Sequence, residues 1–237
     1  MRIALMAPMK PELAPLVRKL DLQRREHGAL RVHEATVDGV EVVATITGIG
    51  TAAAVASTEQ VLDAFEIDHV IVVGIAGGVG PTVDIGDLVI PEVVLDGDGG
   101  AAYRPSLLGT GIPRGTIITS DQFGYAPADI VRFVESGVVG FDMETASIAA
   151  VCESRGAPWS AFRAISDRGD DDTVDAEVLE MAGADGGGDL KGILKYLVRK
   201  PWKIPHLARL AKGSKLATER AADAAIDAIR HAARSAW

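Results

Sequence analysis

The residues best suited to acid–base chemistry in this chain stand in two places, each directly after an apolar run. Asp142 and Glu144 follow Val138-Val139-Gly140-Phe141, and Ser166 and Asp167 follow residues 159–165. Both runs read as buried strands, so the acids fall at strand carboxyl ends, where an open α/β sheet keeps its site. Carboxylates beside so much apolar sequence lose solvation, which shifts their pKa values and equips them to exchange protons with a substrate. A structural reading competes with this one. Asp142 and Glu144 also suit a helix start, as caps and as charges facing its positive end. Glu12, in the first turn of a helix behind the first strand, is open to the same two readings.

The elements around these acids follow from periodicity. Thr145, Ile148, Ala149 and Cys152 repeat along one helical face, and Gly156 and Pro158 stop that helix before the strand over 159–165. Residues 2–7 read as a strand that breaks at Pro8 into a helix running to Leu20. Strands over 31–37 and 41–46 flank Asp38-Gly39, a strong two-residue hairpin signal. The second runs into Thr47-Gly48-Ile49-Gly50-Thr51, and a helix follows over 52–65. A buried strand over 69–73 ends in Gly74-Ile75-Ala76-Gly77-Gly78-Val79-Gly80, expected as a loop whose N–H groups approach an anion or a sugar. That loop is neither a P-loop nor a dinucleotide fingerprint. Residues 87–95 read as a strand with Pro91 near its centre, hence an edge or a bend. Residues 96–100 read as a surface turn, lacking the closing glutamate of a calcium loop. A strand over 116–119 leads into Ser120-Asp121-Gln122-Phe123. Strands alternating with helices place the chain in the α/β class.

Composition narrows the function further. A chain of 237 residues supports one full core, and no apolar run reaches membrane-spanning length. The opening Met-Arg-Ile-Ala-Leu-Met is too soon interrupted by Pro8 and Lys10 to be a signal peptide. The single cysteine, Cys152, has no internal disulfide partner and reads as a small core residue. A cytoplasmic location is the expectation. The five histidines lack ligand spacing, so neither a metal nor another cofactor is expected. A net charge of -9 argues against nucleic-acid binding.

Several strand ends together carry a resemblance. M-A-P-M-K-P-E, T-G-I-G, G-I-A-G-G, S-D-Q-F, F-D-M-E-T-A-S-I-A and R-A-I-S-D occur in this order within residues 1–168. The chain resembles the nucleoside phosphorylase/nucleosidase superfamily, most closely its methylthioadenosine/S-adenosylhomocysteine nucleosidase branch. The resemblance implies a three-layer α/β sandwich around a mixed, partly closed β-sheet. It also implies cleavage of the N-glycosidic bond of a 5′-modified adenine nucleoside, through an oxocarbenium-like sugar. On that basis Asp167 protonates the departing purine and Ser166 orients it. Glu12 activates water, and Glu144 binds the ribose hydroxyls and offsets charge on the sugar. Met143 packs against the sugar, Phe123 stacks on the base, Ile49 and Gly77 line the substrate, and Arg163 holds the carboxylates. A homo-oligomer, dimer or trimer, is expected as well.

Two departures bear on the substrate. Ile75 stands where the family loop usually carries serine, and the 95–116 segment is short, which implies a more open site. Phosphorylase relatives place arginine near the position of Glu12, and arginine and serine at positions matching Val72 and Ile75. An acid and two apolar residues suit water rather than phosphate. Hydrolysis is therefore expected, with a purine nucleoside phosphorylase as the alternative.

Three parts are expected: a nucleosidase core over 1–180, a Gly-rich linker over 181–188, and a basic helical region over 189–237 packing on or beside the core. Residues 189–215 hold eight Lys/Arg against one Asp, and Leu190, Ile193, Leu194, Leu197 and Val198 form an apolar face. One reading is a helical hairpin on the enzyme's surface; the other is a peripheral contact with anionic membrane or a lipidic substrate. Hopanoid-associated members of the superfamily, thought to act on adenosylated lipids, are similar in having a basic, proline-broken tail. A bulky or lipidic 5′-substituted adenosine is thus a second alternative substrate.

Overall fold

A computed structural model of the chain describes residues 1–97, 99–122, 127–168 and 204–235. The first strand, β1 (Arg2–Ala7), shows how the layers arise. Ile3, Leu5 and Ala7 enter one hydrophobic cluster, while Ala4 and Met6 enter another on the opposite face. A strand covered on both faces must be apolar at nearly every position, and this one is.

The first cluster is closed by two helices, α1 (Lys10–Leu20) and the C-terminal helix, here α5 (Ile204–Ser235). Leu13, Leu16 and Leu20 of α1 share this cluster with a stripe of small residues on α5, Ala217, Ala221 and Ala225, and with the larger Ile229. Small side chains allow close approach of the helix. The opposite face is closed by α2 (Thr51–Ala64) and α4 (Thr145–Arg155), through Ala54, Val61, Ile148, Ala149 and Cys152. Helix, sheet and helix make the three layers.

The sheet is mixed and does not close. Its order is β2 (Gln23–His27), β3 (Leu30–Val37), β4 (Val40–Ile46), β1, β5 (His69–Gly78), β10 (Val138–Asp142), β9 (Thr116–Thr119), β7 (Val93–Asp96) and β8 (Ala102–Tyr103). Two more strands, β11 (Trp159–Arg168) and β6 (Leu88–Val89), join beside β5. The β3–β4 hairpin turns through Asp38 and Gly39 at φ 48° and 85°, the left-handed pair that a two-residue turn demands. One further helix, α3 (Pro127–Glu135), precedes β10.

The long β5 organises the site. It runs parallel to β1 over its first half and parallel to β11 along its length, and meets β10 antiparallel at Gly77 and Gly78. The expected glycine loop from Gly74 is therefore strand as far as Gly78. Its glycines clear room where strands and side chains crowd: a Cβ on Gly78 would stand 2.7 Å from the Ile165 side chain. The two acid-bearing strands do not pair directly; the tail of β5 lies between them.

Other expectations shift for local reasons. The strand over 87–95 splits into β6 and β7 around Pro91, which cannot donate to a ladder. β2 is exposed throughout and carries no apolar alternation, so nothing in the sequence marks it. Within the basic helical region expected over 189–237, the described part is one helix, continuous from Ile204 to Ser235. The linker expected at 181–188 and the basic stretch over 189–203 lie outside the described residues.

Candidate active site

Arg163 is wholly buried near the middle of β11, and three carboxylates converge on it. Asp142 Oδ2 stands 2.9 Å from Nε, Glu144 Oε2 3.4 Å from Nη2, and Glu12 Oε1 3.9 Å from Nη1. Thr145 Oγ1 accepts from Nε and Nη2 at 3.0 and 2.9 Å and donates to Asp142 Oδ2. The Ile75 carbonyl accepts from Nη1 at 3.3 Å. A buried guanidinium needs its donors filled, and here they are.

The two readings of the D-M-E string separate in space. Asp142 Oδ1 accepts from the Thr119 hydroxyl at 2.5 Å and from the N–H groups of Glu144 and Thr145 at 3.3 and 3.2 Å. It thereby serves the start of α4 and anchors Arg163. Glu144 is the helix's cap residue by position, yet its side chain makes no cap bond. It turns inward and accepts from the Gly50 N–H at 3.0 Å. Capping belongs to one acid and leaves the other for the site.

Glu12 arrives from α1. Its Oε2 accepts from the Met9 N–H at 2.8 Å, and its Oε1 from the Ile75 N–H at 2.8 Å. The Ile75 side chain meanwhile packs into the core, so this position serves the site through its backbone. Gly74 makes the convergence sterically feasible. A Cβ there would stand 2.4 Å from both Arg163 Nη1 and Glu12 Oε1.

Three acids around one arginine are under-compensated if all are ionised. Burial pushes Glu12 up to about 8, with the charge of Glu144 adding and Arg163 opposing. Burial also raises Glu144, reinforced by Asp142 and opposed by Arg163. Desolvated carboxylates with raised affinity for protons are strong bases once ionised.

Asp167 is built differently. β11 pairs Ile165 with Ala76 and then Asp167 with Gly77, so Ser166 is an extra residue bulging out of register. The bulge re-aims the strand end, and the Ser166 hydroxyl donates to Asp167 Oδ1. Gly77 lies beneath it, where a Cβ would be 3.6 Å from Oδ2. Asp167 is half-buried, unlike the cluster around Arg163.

Of the site residues expected from sequence, Glu12 and Glu144 both converge on Arg163. Asp167 and Ser166 stand at the bulge, above Gly77. Ile49 precedes the Gly50 N–H that binds Glu144, and Met143 sits between the two acids, both half-buried. Phe123 lies outside the described residues. Not anticipated were the anchoring by Thr119 and Thr145, the backbone donors of Met9, Gly50 and Ile75, and the space left by Gly74. The D-M-E-T string held a signal for Thr145, and Met9 lies only three residues before Glu12; the others involve pairings distant in sequence. A cleft of about 770 Å³ is lined by Lys10, Arg24, Arg31, His33, Thr45 and Thr47 and by Ala53, Ser57 and Gln60 of α2, and none of the site residues named above lines it.

The site is a set of buried acids around one arginine in a three-layer α/β fold, and comparison with known proteins gives the family. The family model described as "Phosphorylase superfamily" matches residues 2–107 and 106–199, and the chain belongs to that superfamily. It is 32% identical over 197 residues to the 5′-methylthioadenosine/S-adenosylhomocysteine nucleosidase of Chromohalobacter salexigens, covering 70% of this chain and 84% of that one. The nucleosidase of the same name from Maridesulfovibrio salexigens is 28% identical over 231 residues, covering 83% and 100%. The fold matches the Colwellia psychrerythraea nucleosidase in complex with adenine at a TM-score of 0.71 and 22% identity, covering 98% of this chain and 95% of that one. The futalosine hydrolase of Helicobacter pylori has the same fold, at a TM-score of 0.71 and 16% identity over 97% of each chain.

Proposed function

We propose that this chain hydrolyses the N-glycosidic bond of a 5′-modified adenosine, such as methylthioadenosine or S-adenosylhomocysteine, and releases adenine. The observation that carries the reading is the buried Glu12 held beside Arg163 and Glu144, with an acid-bearing bulge one β5 crossing away. In the reaction, water bonds to C1′ while the C1′–N9 bond breaks and its electrons go to the purine. Asp167 gives a proton to the purine ring and Glu12 takes one from the attacking water. Glu144 faces the ribose and offsets the positive charge that grows on the sugar. Arg163 and Asp142 keep the two glutamates in place. Met143, Ile49 and Gly77 line the sugar and base, and Phe123 stacks on the purine.

Hydrolysis is favoured over phosphorolysis by what surrounds Glu12. A phosphate nucleophile needs cations and hydroxyls. Val72 is buried in the apolar cluster on one face of the sheet, the Ile75 side chain packs against the cluster on the other, and Glu12 itself repels an anion. Purified protein should release adenine from methylthioadenosine in phosphate-free buffer. Strict dependence on phosphate, with ribose 1-phosphate as product, would instead make it a phosphorylase.

A second reading concerns the 5′ group. Arg209, Lys212 and Lys215 are exposed on α5, and Gly213 on that stretch touches Ser166 of the site. Basic residues so close to the site favour peripheral contact with an anionic membrane and a bulky or lipidic 5′ substituent. Among the described residues no helix is long and apolar enough to cross a membrane. A cytoplasmic homo-oligomer, dimer or trimer, completes the proposal.

A further inference from the structure

Glycine in the interior of a long helix weakens it, because alanine is the stronger helix former. Gly213 is nonetheless the tenth residue of the 32-residue α5, and it is buried. The reason lies across the interface. A Cβ on Gly213 would stand 2.3 Å from the carbonyl oxygen of Ser166 and 3.1 Å from Ile85 Cγ2. Backbone cannot yield as the end of a flexible side chain can, so any side chain here must move either the helix or the strand.

The strand at that point is the bulge. Ser166 is the residue left out of register between Ile165 and Asp167, so the β5 ladder holds it less firmly than its neighbours. Its hydroxyl donates to Asp167 Oδ1. The flanking turn is seated on the same helix. Gly86 donates its N–H to the Ile165 carbonyl at 2.7 Å, and a Cβ on Gly86 would stand 2.7 Å from Leu216 Cδ2. Gly213 and Leu216 are three residues apart, hence on one face of the helix.

We infer that Gly213 is a positioning residue: α5 seats against the Ser166 carbonyl through it, and this contact sets the bulge that aims Asp167 at the leaving base. The inference rests on the proposed nucleosidase reaction. It goes beyond that reaction by making the C-terminal helix part of the acid's support, although Gly213 itself touches no reacting atom.

The test separates misaiming of the acid from general damage by changing the leaving group. Adenine needs a proton to depart, whereas 4-nitrophenolate does not. Wild type, Asp167→Asn, Gly213→Ala and Arg220→Ala, an exposed position on the same helix, are assayed on methylthioadenosine and on 4-nitrophenyl 5-methylthioriboside, with thermal melting as the fold check. Gly213→Ala should lose about 30-fold in kcat on adenine release, with KM within about threefold, and less than about threefold on the nitrophenyl substrate, as partial loss of general-acid catalysis requires. Arg220→Ala should match wild type on both.

Equal losses on both substrates, or no loss at all, would overturn the inference. Should Gly213→Ala not accumulate folded, Leu216→Ala loosens the same seat without a clash. It is expected to show a smaller loss, about fivefold, with the same leaving-group selectivity; an unselective result or wild-type rates there would equally overturn it. Failure of wild type to release adenine from methylthioadenosine would count against the proposed reaction itself. Normal wild type and selective Asp167→Asn alongside unselective or absent effects at positions 213 and 216 would count against the positioning role alone.

Discussion

The two acidic regions of the site are built in opposite ways. Around Arg163, three carboxylates sit in the interior with their oxygens filled by backbone N–H groups, hydroxyls and the guanidinium. Asp167, by contrast, is half-buried on a bulge and braced from outside by a serine and a helix. The first arrangement suits charges that must hold still while a sugar becomes cationic. The second suits an acid that has to reach a departing base and exchange its proton with solvent. Rigidity and accessibility meet on β11, whose middle carries Arg163 and whose bulged end carries Asp167.

Breaking the Arg163 side of this contrast should have the largest effect. Arg163→Met leaves three buried acids without their cation, and loss of about 3–5 kcal/mol of stability is expected for such an uncompensated site. A fall in urea midpoint, or failure to accumulate folded protein, is the readout. A variant as stable as wild type would show that the cluster does not depend on its arginine.

Breaking the other side should remove activity and spare the fold. Asp167→Asn is expected to lose about 10²–10⁴ in kcat, as for other general acids, with an unchanged melting temperature. If it unfolded like Arg163→Met, the division between the two regions would be wrong.

Glu12 sharpens the contrast because its two effects have opposite signs. Burial pushes its pKa from the ordinary 4.5 up to about 8, so the folded chain holds the proton more tightly than the unfolded one. Stability from this group is therefore present below the unfolded pKa and lost as pH rises through the folded value. Glu12→Gln should abolish hydrolysis and yet melt higher than wild type at pH about 9, the gap narrowing toward pH about 5. Equal melting temperatures across that range would mean that Glu12 is not buried as a raised-pKa acid.

The smallest effect concerns the basic end of α5. Each well-placed Lys or Arg contributes about 1 kcal/mol of attraction to anionic lipid at low salt. Flotation with anionic vesicles should carry the protein upward, less so as salt rises, and neutral vesicles should not. Protein that stays at the bottom with both would remove the membrane contact and leave a small soluble nucleoside as substrate.

Much of the rigid region was legible in the sequence, and less of the braced one. The elements carrying Glu12, Glu144 and Arg163 could be read from apolar runs and periodicity, whereas the parts the three play came only from the family resemblance. Gly74 was misread, because a glycine that clears space for Arg163 and Glu12 looks locally like a loop glycine. The role of Asp142 was visible only as two competing readings, which the Thr119 and Arg163 contacts separate. The seat of α5 on Ser166 joins residues 47 apart in sequence through a helical glycine, and no periodicity reports such a pairing. β2, charged and exposed, gave no burial pattern from which to read it.

The most direct measurement of the central claim is product analysis on methylthioadenosine, in phosphate-free buffer and with added phosphate, for wild type and Glu12→Gln. Hydrolysis through Glu12 requires that wild type release adenine and free methylthioribose at the same rate in both buffers, and that Glu12→Gln be impaired in both. Appearance of methylthioribose 1-phosphate, or a Glu12→Gln variant restored by phosphate, would contradict it.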